Sequence, residues 1–457
     1  MSRSSRGTLV VVVAAAVYLL LPPPAGISAG GMHAAALVCF AVGMWALGVL
    51  PEHITGILFM LLAVLLRVAS PAVVFSGFTS STLWLVFGGL FMAEAVRATG
   101  LGERLARLLL DRFTGSYPAI LVGVSLVATL LAFLMPATIG RVLLLVPVMA
   151  ALAARVGFGP GSNGYNGIML SAIAGTYHAG VGVLPANAPN MVLAGAAETL
   201  YGVELIYGRF LLLQFPVWSV LKSLICIAMT LLLFPARPQP AQAALRLPPL
   251  SAPERRLILI LGCALALWAT DFLHHIHAGW IALSAAMACM LPRVGVLPLE
   301  AFNERIKFGP FFYIGSVLGL AGIMNENKVT DALGHLLVRT FDLKAGADAL
   351  NFGVLIAAAT STGVLTTIGA QPAVLAPLAG EVAEAIGWSI PTVLMTIAVG
   401  YSNVILPHMV PPMVVGFRAA NISFREAMRY TVPTAVVSLL VLVPVDYLWW
   451  RFLGLFG

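Results

Sequence analysis

The stretches MPATIG (135–140) and PANAPN (185–190) interrupt two long apolar runs in the first half of the chain. Two further interruptions follow in the second half, at TSTGVLTTIG (360–369) and LPHMVPP (406–412). Proline removes a backbone donor and glycine relaxes a helix, so unwound backbone is expected at all four places. Inside a bilayer such backbone is tolerated only where protein buries it or water reaches it. The interruptions therefore predict membrane helices that break around an internal site.

The composition supports a membrane location. Hydrophobic residues make up 60% of the 457 residues and charged residues only 9%, whereas about a quarter of a soluble chain is charged. Apolar stretches long enough to span a bilayer recur from end to end. They include 32–50, 54–69, 210–234, 257–274 and 432–450. We therefore expect an all-α, multi-pass protein of the cell inner membrane, with the lipid bilayer as a partner.

The start of the chain allows two interpretations. Arg3 and Arg6 precede an apolar run at 8–21, and a run of prolines follows at 22–24. A basic end before a short apolar core is also typical of a secretory signal peptide. We interpret the run as a first helix with its N-terminus in the cytoplasm, and the cleaved signal stays the alternative.

Neither the cysteines nor the net charge indicates a further function. The four cysteines lie in apolar runs without metal-like spacing, so they are predicted to be packing residues, with no disulfide framework and no zinc site. The net charge of +7 comes from arginines that flank apolar segments, as expected of cytoplasmic loops. We expect no nucleic-acid partner.

A linker divides the chain near its midpoint. The sequence PARPQPAQAALRLPPLSAP (235–253) is rich in proline and alanine, and its arginines favour the cytoplasm. We predict an N-terminal half at 1–234, a cytoplasmic linker at 235–256 and a C-terminal half at 257–457.

The two halves contain a weak internal repeat. FGGL (87–90) is echoed by IGSV (314–317), and each begins a helix followed by an amphipathic stretch. TIG occurs at 138–140 and again at 367–369. Leu-Pro with a second proline four residues on occurs first at Pro185 and then at Pro407. Three pairs in the same order predict a structural repeat.

The basic residues around the amphipathic stretches favour opposite orientations of the repeats. Four arginines, Arg97, Arg104, Arg107 and Arg112, accompany the first stretch, and Lys328, Arg339 and Lys344 accompany the second. Matching interruptions in two inverted halves are typical of a transporter's binding site. Helix N-termini attract an anion, and freed carbonyls can hold a cation. The pattern predicts anion transport coupled to a cation.

Several motifs resemble one known family. SGFTS (76–80), LWLVFGG (83–89) and TGL (99–101) resemble the divalent anion/sodium symporter family, whose members commonly read SGF, W-L-x-F-G-G and T-G-L in this order. This family comprises dicarboxylate, citrate and sulfate transporters of the wider ion transporter superfamily. The closing DYLWWR (446–451) is also similar to the ends of its bacterial members.

The resemblance implies a particular architecture. Such proteins are usually homodimers with a scaffold domain and a mobile transport domain, built from two inverted-topology repeats. Each repeat contributes a re-entrant hairpin, here near 134–141 and 360–372, and a broken transmembrane helix, here near 184–191 and 406–413. Their substrates are succinate-like dicarboxylates, citrate or sulfate, usually driven by sodium, and some relatives exchange one anion for another.

The hairpin tips depart from the family pattern. Ser-Asn-Thr at each tip is replaced by ATI (137–139) and by TIG (367–369), so both asparagines are missing. The Thr-Pro-Pro-Asn motif survives partly, as NAPN (187–190) and VPPM (410–413). Substrate identity and sodium coupling are therefore left open by the resemblance.

The candidate site residues follow from the interruptions and from the resemblance. Arg141 is predicted either to grip a substrate carboxylate or to stand where a relative places a sodium ion, with snorkelling to the membrane face as the alternative. His178 and His408 are predicted to donate to an anion or carry a proton, or to be packing residues. The substrate-binding candidates are Ala137, Thr138, Arg141, Asn190, Thr366, Thr367 and His408. The ion-coupling candidates are Ala137, Thr138, His178, Asn187, Thr367 and Ile368. Gln371 is a weaker candidate, and Glu94, Lys222 and Asp271 are expected near the membrane interface.

Together these features predict a secondary active transporter of small divalent anions, with di- and tricarboxylates first, working by sodium-coupled symport of the elevator type. Proton coupling and anion exchange are the alternatives. An intramembrane enzyme is disfavoured because no H-E-x-x-H motif and no paired intramembrane aspartates occur. No cofactor is expected beyond sodium ions that couple transport.

Overall fold

The computed structural model describes residues 10–17, 21, 23, 28–240 and 247–456, and every regular element within these ranges is a helix. Of the predicted first helix at 8–21, residues 10–17 are helical, and 8–9 and 18–20 lie outside the described residues. The centre of the linker, 241–246, also lies outside them. The prediction of an all-α polytopic protein is confirmed.

The longer helices of the first half follow the predicted order. They are α1 (Ala29–Leu47), α2 (Glu52–Leu65), α3 (Ser81–Thr99), α4 (Leu101–Leu110), α5 (Tyr117–Leu134), α6 (Thr138–Arg155), α7 (Asn163–Val181), α8 (Ala188–Tyr201) and α9 (Tyr207–Leu233). A π-helical segment, Phe215–Leu221, lies within α9. Short helical turns lie at Pro71–Val74, Ser76–Thr79, Asp111–Phe113 and Leu184–Ala186.

The second half repeats this order. Its helices are α10 (Ala252–Ala269), α11 (Ala278–Met290), α12 (Gly309–Glu326), α13 (Val329–Thr340), α14 (Asp348–Leu365), α15 (Gln371–Leu375), α16 (Ala379–Ile386), α17 (Ile390–Tyr401), α18 (Pro411–Ala419) and α19 (Phe424–Phe452). Short turns lie at Asp271–His274, Ala301–Glu304, Ala376–Leu378 and Pro407–Met409. Of the described helices, seven are long and apolar enough to cross a membrane, and α2, α11 and α17 are shorter apolar helices.

Helix starts differ in capping. Several helices that begin away from the interruptions have serine caps, as at Ser80, Ser116, Ser162 and Ser389, whose hydroxyls accept from first-turn N–H groups. Helices α6, α8, α15 and α18 begin at the interruptions, and their cap residues make no side-chain cap bond within the described structure. At α6 and α8 the first N–H groups have no partner among the described residues. At α15 and α18 they do not remain free, because Gln371, Ala373 and Met413 donate to nearby carbonyls and the prolines in these first turns have no N–H.

Contacts with the linker define one face of the molecule, called the linker face. Arg104 on α4 donates to Pro248 O at 2.7 Å, and Gln239 N donates to Val156 O, just past α6, at 2.9 Å. Arg429 on α19 donates to Leu233 O at the end of α9, at 2.8 Å. The ends of the α5–α6 hairpin, the end of α9 and the start of α19 therefore lie at this face.

The opposite ends of these helices define the far face. Trp449 near the end of α19 donates to Leu212 O in α9 at 3.1 Å. Trp388, just after α16, donates to Asp348 at the start of α14 at 2.8 Å, and its ring lies 4.8 Å from that of Phe456. The second hairpin, α14–α16, therefore opens at the far face and the first at the linker face. The predicted inverted-topology repeats with re-entrant hairpins are confirmed.

The helices form two bodies. Helices α1–α3 pack with α10–α12 as a scaffold, and the hairpins, the broken helices α7–α8 and α17–α18, α9 and α19 form the second body. The first glycine of the FGG motif faces another scaffold helix, and the second faces the other body. A Cβ at Gly88 would come within 2.5 Å of Ala282 O on α11, and one at Gly89 within 2.8 Å of Pro136 at the first hairpin tip. Glycine is therefore required for both close approaches.

Candidate functional site

A cavity of about 570 Å³ separates the scaffold from the two hairpin tips. Both tips and both broken helices line it. The lining residues from this side include Pro136, Ala137, Thr138, Ile139, Ala188, Pro189, Thr367, Ile368, Gly369, His408, Val410, Pro411 and Pro412. The four interruptions quoted from the sequence thus meet at one place, although the first and the last are separated by about three fifths of the chain.

The scaffold wall of the cavity runs towards the linker face. It includes Trp45, Leu47 and Pro51 at the α1–α2 turn, and Pro310 and Tyr313 in the first turns of α12. Arg256 at the start of α10 donates to Arg293 O after α11 at 2.9 Å. The connection between α11 and α12 therefore starts on the linker side, and the cavity extends to that side.

On the hairpin side of the cavity the polar groups suit a small anion, whereas the scaffold wall contributes one carboxylate, Glu52. Thr138 donates to Asn187 Oδ1 at 2.6 Å, and both Thr138 and Thr367 retain part of their surface exposed towards the cavity. The uncapped starts of α6, α8 and α18 lie beside these hydroxyls. Free N–H groups and the positive end of a helix dipole attract negative charge. An anion in the cavity can therefore accept from the Thr367 hydroxyl and from the first N–H groups of α6 and α8, and the dipole of α18 adds positive charge from the second repeat. The Thr138 hydroxyl can donate to an anion only when it leaves Asn187.

The two tips are attached to the broken helices in different ways. In the first half, Thr138 bonds the side chain of Asn187 and, at 3.3 Å, Ala186 O. In the second, Ile368 N donates to Met409 O at 3.0 Å. His408 is exposed and lines the cavity, whereas Thr366 points back and donates to Thr362 O at 2.7 Å. Ala137 and Ile368 contribute apolar surface to the cavity.

Arg141 lies beneath the first tip and outside the set of cavity-lining residues. Its side chain is fully buried. The guanidinium donates to Met135 O at 2.5 Å, to Ala186 O at 2.9 Å and to Thr176 O at 3.2 Å. Its geometry does not support the role of a substrate clamp, because the hydrogen-bonding groups point into protein rather than into the cavity.

Two asparagines hold the first broken helix open. Asn190 is fully buried and donates to Val181 O at 3.1 Å and Val183 O at 3.0 Å. Asn187 donates to Tyr177 O at 3.2 Å and accepts from Thr138. Carbonyls left unpaired by the break between α7 and α8 are thereby satisfied. Asn190 thus braces the backbone behind the cavity rather than lining it.

His178 is also placed behind the cavity. It is 3% exposed, and its Nδ1 has no hydrogen-bond partner among the described residues. Ser219 in the π-helical segment of α9 donates to the His178 carbonyl at 3.2 Å. Its role in ion coupling stays a prediction.

In the second half, Ala370 follows the TIG motif as Arg141 follows it in the first, and the next residue, Gln371, lies beside a glycine as Arg141 does. A Cβ at Gly180 would lie 2.6 Å from Arg141 Nη2, and one at Gly400 would lie 3.0 Å from Gln371 Nε2. Gln371 and Asn403 are fully buried, and neither amide has a hydrogen-bond partner in the part of the chain that the structure describes. These amides could bind a cation or water at the second tip.

Sequence reasoning missed the aromatic side of the cavity. Trp45 and Tyr313 meet edge to face with ring centroids 5.4 Å apart, and a Cβ at Gly369 would lie 3.1 Å from Tyr313 Oη. Tyr177, which also lines the cavity, donates to Tyr401 O at 2.8 Å. The one sequence signal was the cluster PFFY at 310–313, directly after Gly309.

The expectation for Lys222 is wrong. Its side chain is 1% exposed and donates to Ser438 on α19 at 2.6 Å. Lys222 directly follows the π-helical segment of α9. Asp271 does lie at the far-face end of α10, where it accepts from Tyr207 N at 2.8 Å. Glu94 forms the expected pair with an arginine, Arg97, at 2.6 Å.

Inverted repeats with hairpins and broken helices around a shared cavity define the class of secondary transporters. The family described as "Sodium:sulfate symporter transmembrane region" matches residues 3–456, and the chain belongs to this family. The predicted resemblance is thereby confirmed. Family membership makes the chain a transporter rather than an enzyme.

Individual relatives are more distant. A "Membrane protein" of Cupriavidus necator is 26% identical over 94% of this chain and 89% of its own length. "Dicarboxylate transporter 2.2, chloroplastic" of Arabidopsis thaliana is 22% identical over 94% of this chain and 81% of its own. The "L-tartrate/succinate antiporter" of Escherichia coli K12 is 24% identical over 57% of this chain and 56% of its own.

A solved structure has the same fold. The Alcanivorax borkumensis YdaH transporter, described as having an unusual topology, superimposes with a TM-score of 0.58 at 16% identity. The match covers 84% of this chain and 87% of that one.

Proposed function

We propose that this protein is a secondary active transporter of small divalent anions, with di- and tricarboxylates as the first candidates. The observation that carries the proposal is the convergence of Thr138, Thr367 and three uncapped helix starts on one cavity. Two relatives named as dicarboxylate and tartrate/succinate transporters support this substrate class.

We further propose that the linker face lies in the cytoplasm and that the N-terminus and the 235–256 linker lie there too. Positive residues concentrate on the cytoplasmic side of membrane proteins, and the linker face has more than twice as many as the far face. The described basic residues of the linker face are Arg97, Arg104, Arg107, Arg112, Arg155, Arg237, Arg255, Arg256, Arg293, Arg305, Lys307, Arg418, Arg425 and Arg429. Those of the far face are Arg67, Arg209, Lys328, Arg339, Lys344 and Arg451.

On this assignment the cavity opens inward. Transport then requires the hairpin body to move across the membrane against the scaffold, which is the elevator mechanism. The contact of Gly89 with Pro136 lies in the surface along which the two bodies would slide. On the basis of the family resemblance, we also propose that the protein forms a homodimer in the inner membrane and that the two scaffolds are in contact.

Three forms of coupling are candidates. Among the described residues, the side-chain amides of Gln371 and Asn403 have no hydrogen-bond partner. Their oxygen atoms suit a cation near the second tip, and this supports sodium symport. Anion exchange is supported by the loss of both tip asparagines and by the relative named as an antiporter. Proton coupling would involve His178 or His408.

Uptake into proteoliposomes separates these forms. Labelled succinate, citrate and sulfate are offered with an imposed sodium gradient, an imposed proton gradient or an internal load of the same anion. We expect at least one dicarboxylate to accumulate, and the driving gradient identifies the coupling. If none of the anions moves under any gradient, the proposed substrate class is incorrect.

A further inference from the structure

The cavity between the scaffold and the hairpin tips contains a charge of the sign that repels an anion. Of the described residues that line it, Glu52 is the one carboxylate, none is a lysine or an arginine, and His408 is the one histidine. Glu52 is exposed and forms no ion pair in the part of the chain that the structure describes. An exposed glutamate is ionised at neutral pH. An unpaired negative charge opposite an anion site requires an explanation.

Trp45 fixes Glu52 on the scaffold wall. The indole Nε1 of Trp45 donates to Glu52 O at 3.0 Å, and its ring meets the Tyr313 ring edge to face with centroids 5.4 Å apart. A Cβ at Gly309 would lie 3.0 Å from His53 Nδ1, so the first turns of α2 and α12 lie side by side. Glu52 therefore belongs to the end of the wall that is nearest the linker face, where the cavity opens.

The same wall approaches the second hairpin tip closely. Tyr313 is 4% exposed, and its hydroxyl has no hydrogen-bond partner among the described residues. A Cβ at Gly369 on the tip would lie 3.1 Å from this hydroxyl. An anion that is held by Thr367 therefore lies between the tip and the wall that carries Glu52, and the Tyr313 hydroxyl is available to donate to it.

Glu52 also stands in the first turn of α2, where a carboxylate stabilises the positive end of the helix. That role explains an acidic residue but not its position in an anion cavity. We propose that Glu52 is a specificity-determining residue that limits the negative charge of the transported anion, so that dianions are favoured over trianions. The inference rests on the proposed function, because it concerns the anion that occupies the same cavity.

The repulsion between Glu52 and a bound anion grows in proportion to the charge of the anion. Removal of the carboxylate should therefore strengthen the binding of a trianion more than that of a dianion. If the affinity for a dianion rises by a given factor, the affinity for a trianion should rise by about that factor to the power of 1.5, because Coulomb energy is proportional to the product of the charges. Anions of equal charge should gain by similar factors, whatever their shape.

The test is equilibrium binding of succinate, sulfate and citrate to the purified full-length protein, in a fixed concentration of sodium chloride. At about pH 8 succinate and sulfate are dianions and citrate is a trianion. Dissociation constants are measured for wild type, Glu52→Gln, Glu52→Asp and Glu300→Gln. Glutamine keeps the size of Glu52 and removes its charge, whereas aspartate keeps the charge. Glu300 is exposed in the connection between α11 and α12 and is not among the cavity-lining residues, so it is the matched control.

We expect Glu52→Gln to bind succinate and sulfate severalfold more tightly than wild type does, and to gain by a larger factor for citrate. Glu52→Asp and Glu300→Gln should keep the wild-type ratio of citrate affinity to succinate affinity. A purely structural role of Glu52 would change the stability of the protein or change all three affinities alike. Equal factors for the three anions, no gain in Glu52→Gln, or a gain that grows with anion charge in Glu300→Gln would overturn the inference.

Uptake of the same anions into proteoliposomes separates failure of this inference from failure of the proposed function. Uptake by wild type, with unchanged selectivity in Glu52→Gln, would reject the role of Glu52 and retain the anion transporter. If wild type moves no tested anion and Glu52→Gln gains binding that grows with anion charge, the role of Glu52 is retained and the proposed substrate class is rejected. If none of the four proteins binds any of the anions, both are rejected.

Discussion

Replacing Gly180 with alanine should disturb the hydrogen bonds that Arg141 donates to the oxygens of Met135, Thr138, Thr176, Ala186 and Asn187. The added Cβ would lie 2.6 Å from Arg141 Nη2 and 2.9 Å from Asn187 Oδ1, and both groups are fixed by several hydrogen bonds. Forcing an extra carbon into packed protein destabilises by about 1–3 kcal/mol. Gly175, on the same helix, is a suitable control because the nearest atom to its Cβ would be Ala128 Cβ at 3.8 Å. There, alanine should stabilise the helix by roughly 0.5–1 kcal/mol.

The assay is thermal unfolding of the purified protein, followed by anion uptake in proteoliposomes. One kcal/mol shifts the unfolding temperature of a domain of 150–250 residues by about 2–4 °C, and of a longer chain by less. We expect Gly180→Ala to unfold a few degrees below wild type and Gly175→Ala at or above it, with reduced uptake only for Gly180→Ala. Equal unfolding temperatures and equal uptake for the two variants would refute the packing of Gly180 against a fixed guanidinium.

Two further predictions concern buried polar side chains. Asn190→Leu should destabilise the protein by about 2–4 kcal/mol, because it leaves Val181 O and Val183 O without their donor; an unchanged unfolding temperature would show that Asn190 does not brace the break. Lys222→Met should be neutral or stabilising, since it replaces a buried charge with an apolar chain of similar length and the Ser438 hydroxyl retains its bond to Thr434 O at 2.6 Å. Lys222→Glu should be destabilising, and a clear loss of stability in Lys222→Met would indicate that the charge itself is needed.

Much of the fold could be predicted because its signals are local. Proline and glycine interrupt helices wherever they occur, so the four breaks were visible as short strings in the sequence. The repeat order followed from these strings, and it pairs α3–α9 with α12–α19. The inverted orientation rested on a few basic residues, whereas contacts such as Gln239 N to Val156 O establish it directly.

The positions of individual side chains could be predicted less well. Thr366 and Thr367 are adjacent, yet only Thr367 lines the cavity, and a shift of one residue at a tip decides this. Arg141 is fully buried, and its partners Thr176, Ala186 and Asn187 come from another helix pair, at least 35 residues away. Which way a long side chain turns depends on those distant oxygens rather than on its neighbours in sequence.

The aromatic wall of the cavity gave almost no sequence signal. Trp45 and Tyr313 are residues that membrane helices commonly contain for packing, and the sequence offers no means of distinguishing them from that background. Lys222 was misplaced for a similar reason. A π-helical segment, Phe215–Leu221, directly precedes Lys222. Its sequence contains a single proline, which does not distinguish a π-helix from an ordinary membrane helix.

The most direct test of the central claim is uptake of labelled succinate by wild type and by the double variant Thr138→Ala with Thr367→Ala. The control replaces Thr129, which lies on α5 of the first hairpin and donates to Ser125 O in its own helix at 2.9 Å. We predict saturable uptake by wild type and by Thr129→Ala, and a strong rise in KM or loss of uptake in the double variant, with all three proteins folded. Wild-type uptake kinetics in the double variant would contradict an anion site at the hairpin tips.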